Sequence, residues 1–103
     1  MSSRCLLSSV AALTLLCGCG GHGQAQPAVL RRGRSVFASA CASCHTLTGR
    51  DTRARGGDLA IATLSARDIA GFVRIMPVHL SRADVEAVSR YVHAAAAAAS
   101  TRH

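Results

Sequence analysis

Residues 41–45 read Cys41-Ala42-Ser43-Cys44-His45. Two thiols stand three positions apart, with an imidazole directly after the second, in a chain of 103 residues that holds five cysteines in all. On a turn of helix, side chains three positions apart leave the backbone on one side. Both sulfurs can therefore be offered to a single object while the next residue lies beside it. What that object is depends on the rest of the chain.

The N-terminus bears on the question first. "MSSRCLLSSVAALTLLCGCGGHGQA" opens with a basic residue, Arg4, and continues with an apolar run from Leu6 to Leu16. That run suits the apolar region of a signal peptide and is short for a bilayer span. Two processing routes compete. "GQA" (Gly23–Ala25) has small residues where ordinary cleavage before Gln26 needs them, and "LCGC" (Leu16–Cys19) resembles a bacterial lipoprotein signal that would place lipid on Cys19. On either route residues 1–25 are leader and flexible linker, and 26–103 form the working domain, exported to the periplasm and soluble or tethered by lipid. Cys5 and Cys17 leave with the leader, so Cys41 and Cys44 are the thiols of the folded part.

The composition is poor in core material. Phe37, Phe72 and Tyr91 are the aromatic residues, and there is no Trp. Domains of this size are marginal unless a disulfide, metal or cofactor adds to the interior. The formal net charge is +7, carried entirely by arginine. Those arginines are scattered, with no dense run interleaved with aromatics, so nucleic acid is not the expected partner. Attraction to an acidic partner or an acidic surface fits better.

Helical spacing organises the working domain. Val29, Leu30, Val36, Phe37 and Ala40 recur at helical intervals and predict a helix over 28–40 that runs into Cys41. Residues 46–64 are polar and Gly-containing and read as loop. Ser65 and Asp68 form an N-cap and its third-position partner ahead of a short helix bearing Ile69, Phe72 and Val73, which Pro77 stops. Ser81 caps a third helix, with Asp84 and Glu86 placed in its first turn and Val85, Val88 and Val92 along one face. The alanine run 94–99 has the best helix propensity available. The expected fold is all α with a long central loop.

Cys-x-x-Cys-His is the attachment signature of c-type haem. The two thiols add across the two porphyrin vinyl groups as thioethers, and His45 is then held beneath the iron as an axial ligand. The rival readings lack support. Zinc needs two further good ligands beyond scattered histidines. A thioredoxin-like pair belongs after a strand. A Cys41–Cys44 disulfide closes a very short ring and stabilises little. Met76 is the candidate second ligand: it is the methionine other than the initiator, it follows a helix end, and Pro77 biases it towards extended backbone. His79 is the rival for that position. His22, His93 and His103 are expected in solvent.

The segments "GRSVFASACASCH" and "LSRADVEAVSRYV" resemble a small bacterial class I cytochrome c, from about Gly33 to Val92. The resemblance implies a fold of three to four helices wrapped around one covalently bound haem. It implies thioethers on Cys41 and Cys44 and axial ligation of the iron by His45 and Met76. Gly33, Phe37 and Tyr91 fall where the family's N- and C-terminal helices cross. The family usually carries Gly-Pro where this chain reads "GGDL", which puts Gly57 at the proline position, its carbonyl accepting a hydrogen bond from His45. With φ no longer locked by a ring, a proline at 57 is expected to stabilise the loop. Arg50, Arg53 and Arg55 are candidates for the propionates.

With both axial positions filled, such a chain is expected to be a monomeric one-electron carrier rather than an enzyme. Its partners would be a dehydrogenase, oxidase or reductase with an acidic docking face, and membrane contact would come only through lipid on Cys19. A haem-based sensor or ligand-binding protein with an open sixth site is the alternative, and an electron-transfer subunit of a larger complex is a third reading. Arg50, Arg53, Arg55, Arg74 and Arg82 are expected to ring the haem edge.

Overall fold

The computed structural model describes residues 26–50 and 53–102 and contains three helices with no strand among them, α1 (Ala28–Ala40), α2 (Ala66–Ile75) and α3 (Arg82–Ser100). Residues 1–25, on which the expected leader, Cys19 and His22 fall, and His103 lie outside the described residues. Among those described, no helix is long and apolar enough to cross a membrane.

α2 and α3 begin where the sequence supplies a side-chain cap for the first free N–H groups, whereas α1 starts after Pro27 without one. Pro27 precedes α1, and its carbonyl accepts from the N–H groups of Leu30 and Arg31 at 2.9 and 3.1 Å. At α2 the capping box is complete. Asp68 N–H donates to Ser65 Oγ at 3.2 Å, and Ser65 N–H donates to the Asp68 carboxylate at 3.3 Å. At α3 the Asp84 N–H donates to Ser81 Oγ at 3.1 Å. Glu86 falls just beyond the first turn and pairs instead with Arg90 one turn on, at 3.0 Å. Met76 ends α2 in an extended conformation, φ −76° and ψ 152°, as the following proline requires.

α3 is the spine. α1 and α2 each pack on it and do not pack on one another. The α1–α3 crossing is close because Gly33 has no side chain; a Cβ there would lie 2.1 Å from the Ala87 carbonyl oxygen and 2.6 Å from Tyr91 Cβ. Phe37 meets Tyr91 beside this point in a tilted ring pair with centroids 6.0 Å apart. Arg32 donates to Asp84 at 2.7 Å across the same two helices, and this bond, with that from Ser81, holds the Asp84 carboxyl below the usual carboxylate range. The pair is exposed and adds little to stability.

The core is thin. Phe37, Ile69, Val88 and Val92 form its centre, and Ala60, Ala96 and Ala99 form a second cluster under Leu47. The largest side chains fully removed from solvent are those of Val88 and Ser89. Large apolar residues are left outside: Phe72 is 56% exposed and Met76 49%. Because α1 and α2 stand apart on α3, an apolar cleft opens between them.

Candidate functional site

The site starts at the end of α1. The Cys41 N–H still bonds to the Phe37 carbonyl at 2.9 Å, and the Cys41 carbonyl accepts from the N–H groups of Cys44 and His45 at 3.1 and 2.9 Å. Residues 41–45 therefore make one further turn beyond the helix. Cys41 and Cys44 are both free thiols. Burial pushes the Cys41 thiol up from its ordinary pKa. Among the described residues no three of His, Cys, Asp and Glu converge, so nothing there completes a tetrahedral zinc site around this pair.

A loop folds back to fix His45. Gly56 N–H donates to the Cys44 carbonyl at 2.6 Å, and Leu59 N–H donates to the Thr46 carbonyl at 2.9 Å, which makes an isolated parallel bridge between Thr46 and Asp58. The Gly57 carbonyl then lies 3.3 Å from His45 Nδ1. A carbonyl can only accept, so Nδ1 is the donor in this contact, which leaves Nε2 as the ring nitrogen turned to other partners. Gly56 sits flush against the imidazole. A Cβ there would stand 2.5 Å from Cε1, 2.7 Å from Nδ1 and 2.9 Å from Nε2.

Gly57 has φ +81°, in the left-handed region. This overturns the expectation that proline would be favoured here. The pyrrolidine ring fixes φ near −65°, and it would also remove the N–H that donates to the Ala54 carbonyl at 2.8 Å. Gly57→Pro is expected to destabilise the protein by about 3 kcal/mol, combining an incompatible backbone with a lost hydrogen bond. Urea unfolding checks this, and an unchanged or raised midpoint would contradict it.

Asp58 is the organiser that the sequence did not announce. Its carboxylate is buried and accepts from the Thr48 N–H at 3.0 Å, the Thr48 hydroxyl at 2.6 Å, the Arg50 N–H at 3.3 Å and the Ala60 N–H at 2.9 Å. A buried charge survives when hydrogen bonds of this number satisfy it. Asp58 thereby ties 48–50 to 58–60 and fixes the loop that carries Gly57. The clue was an acid directly after two glycines, with Thr48 near the histidine.

All four residues singled out from the sequence meet in one place. Cys41, Cys44, His45 and Met76 line a single cleft of about 400 Å³, with Leu59, Leu64, Phe72 and Val92 among its apolar walls. That volume falls within the roughly 300–1,000 Å³ usual for ligand clefts. Apolar walls, two thiols on one turn and an imidazole whose Nε2 is not engaged by the Gly57 carbonyl form a donor set that fits a flat apolar group attached through sulfur and ligated through nitrogen. Haem c is such a group. Cys41, Cys44, His45 and Met76 would hold it.

Other sequence candidates lie elsewhere. His79 is exposed and is not part of the cleft wall. His93 is exposed, as expected, and Nδ1–H donates to the Leu64 carbonyl at 2.9 Å, tying α3 to the segment before α2. Arg50, Arg53 and Arg55 are exposed and do not line the cleft. Nor do Arg74 and Arg82, which face a separate groove behind α2. The ring of arginines expected around the cleft is therefore not formed by these two, because α2 turns Arg74 away from the side that carries Phe72 and Val73.

The family model described as "Cytochrome C oxidase, cbb3-type, subunit III" matches residues 28–92, which span α1, the loop, α2 and most of α3. No curated protein and no solved structure gives a significant match to the chain.

Proposed function

Since the chain belongs to the cytochrome c family described as cytochrome c oxidase, cbb3-type, subunit III, with covalently bound haem c as its cofactor and haem-based electron transfer as its chemistry, we propose that it is a periplasmic one-electron carrier with His45 and Met76 as axial ligands. The observation that carries this reading is the single apolar cleft that Cys41, Cys44, His45 and Met76 line together. When bound, the haem supplies a one-electron couple between Fe(II) and Fe(III).

The chain's residues have distinct tasks. Cys41 and Cys44, present as thiols, would anchor the group through sulfur, each thiol adding across one vinyl group to form a thioether. His45 offers Nε2, with its ring oriented by the Gly57 carbonyl at 3.3 Å. Met76 offers a neutral thioether from a stiff extended segment, and thioether ligation favours the reduced iron over the oxidised one. Leu59, Leu64 and Val92 give the cleft apolar walls. With His45 and Met76 both holding the group, the protein would leave no open position on it for a substrate.

The electron partner is a dehydrogenase, an oxidase or a reductase in the same compartment; the family's description names an oxidase subunit, which favours the oxidase. Residues 1–25 would direct export, leaving the domain either soluble after cleavage before Gln26 or tethered by lipid on Cys19.

Met76→Ala tests the ligation. In the parent protein, added CO should bind the reduced form poorly. In the variant it should bind readily, because the sixth position is open. Ready binding in the parent would replace this reading with a sensor that has an open site. An unchanged spectrum in Met76→Ala would transfer the ligand role to His79, to be checked by His79→Ala.

A further inference from the structure

α2 is lined on two sides. Ile69, Phe72, Val73 and Met76 face the cleft, whereas Arg67, Ala70 and Arg74 face a second groove of about 640 Å³ closed by the start of α3. Arg82 and Arg90 complete its rim, so four guanidinium groups surround one concavity. Its floor is buried and small, formed by Ala70, Val85 and Ser89, and the Ser89 hydroxyl is already spent on the Val85 carbonyl at 2.6 Å.

The positive charge in this groove is balanced only in part from within, by Glu86, which lines it beside the four arginines. Arg90 pairs with Glu86 at 3.0 Å, both ends exposed. Arg67, Arg74 and Arg82 meet no carboxylate among the described residues. The other described acids are committed elsewhere: Asp58 to its loop, Asp68 to Ser65, and Asp84 to Arg32 and Ser81. Like charges lining one concavity repel one another, the more so at low salt, until an anion arrives.

We propose that the Arg67–Arg74–Arg82–Arg90 groove docks an acidic segment of the electron-transfer partner, holding it across α2 from the haem cleft. This rests on the carrier reading above and adds the place of docking. A planar guanidinium takes a carboxylate through two parallel hydrogen bonds, so Asp and Glu side chains suit this rim. The concave shape and apolar floor favour a protruding peptide segment over a flat lipid surface. A helix with its side chains is about 10–12 Å across. A partner seated here therefore stands one helix from the cleft and leaves the exposed Phe72 and Met76 at the cleft mouth uncovered.

The test uses the reduced holoprotein and a hexaglutamate peptide at low salt, followed by amide NMR shifts. Shifts should concentrate on groove residues such as Ala70, Arg74, Arg82 and Ser89. The double variant Arg67→Gln/Arg74→Gln should weaken binding by about tenfold or more, given the usual strength of charged hydrogen bonds. Arg34→Gln/Arg102→Gln, which removes equal charge from exposed positions outside the groove, should leave binding nearly unchanged.

Equal weakening in both doubles would reduce the effect to net charge and overturn the proposal. So would shifts centred on the cleft mouth, or inorganic phosphate binding as tightly as the peptide. Groove-dependent capture by phosphatidylglycerol vesicles without peptide binding would overturn it in favour of a lipid surface. The haem spectrum separates the two levels. If docking fails while the parent spectrum shows His/Met ligation, the carrier reading stands without this groove.

Discussion

Gly33→Ala is expected to destabilise the protein by about 2–3 kcal/mol, the upper part of the range for overpacking a tight contact. The added methyl would lie 2.1 Å from the Ala87 carbonyl oxygen, 2.7 Å from the Ala87 carbonyl carbon and 2.6 Å from Tyr91 Cβ. Two of those three atoms are α3 backbone, so no rotamer change relieves the overlap and the helices must separate. Alanine has the better helix propensity, by about 1 kcal/mol. That gain is the smaller effect, because separation also loosens Phe37 against Tyr91 and the contact that sets where Cys41 emerges. Urea unfolding at unchanged slope measures the loss. A midpoint equal to or above the parent's would mean that α1 and α3 do not cross at Gly33.

The second large effect is expected at Gly56, and it is spectroscopic. Gly56→Ala introduces no positive-φ strain, but its methyl would overlap three atoms of the His45 ring at 2.5–2.9 Å. The ring must swing, which breaks the Nδ1–H bond to the Gly57 carbonyl. Changed axial ligation should follow, seen as loss of the weak far-red band of thioether-ligated ferric haem and as ready CO binding. Gly57→Ala is the matched contrast. A Cβ there meets nothing within 4 Å, and the cost is the left-handed backbone alone, about 1–2 kcal/mol. The spectrum should survive at 57 and change at 56. The reverse pattern would remove Gly56 from the orientation of His45.

What the sequence revealed and what it concealed divide by range. The capping pairs Ser65/Asp68 and Ser81/Asp84 lie within one turn, so their residue types alone locate the starts of α2 and α3. Cys41, Cys44 and His45 are equally local. The loop is another matter. The left-handed φ of Gly57 depends on Asp58 holding Thr48 and Arg50 ten and eight residues away, and no periodic pattern encodes that closure. Likewise Arg74 and Phe72 are close in sequence yet face opposite sides of α2, and which side holds the cleft is decided by where α3 and the cysteine turn stand.

The most direct measurement of the central claim is extraction of the purified protein with acidified acetone. Haem joined through Cys41 and Cys44 should remain with the precipitated chain, leaving a colourless supernatant. Haem recovered in the supernatant would contradict covalent attachment at the Cys41–His45 turn.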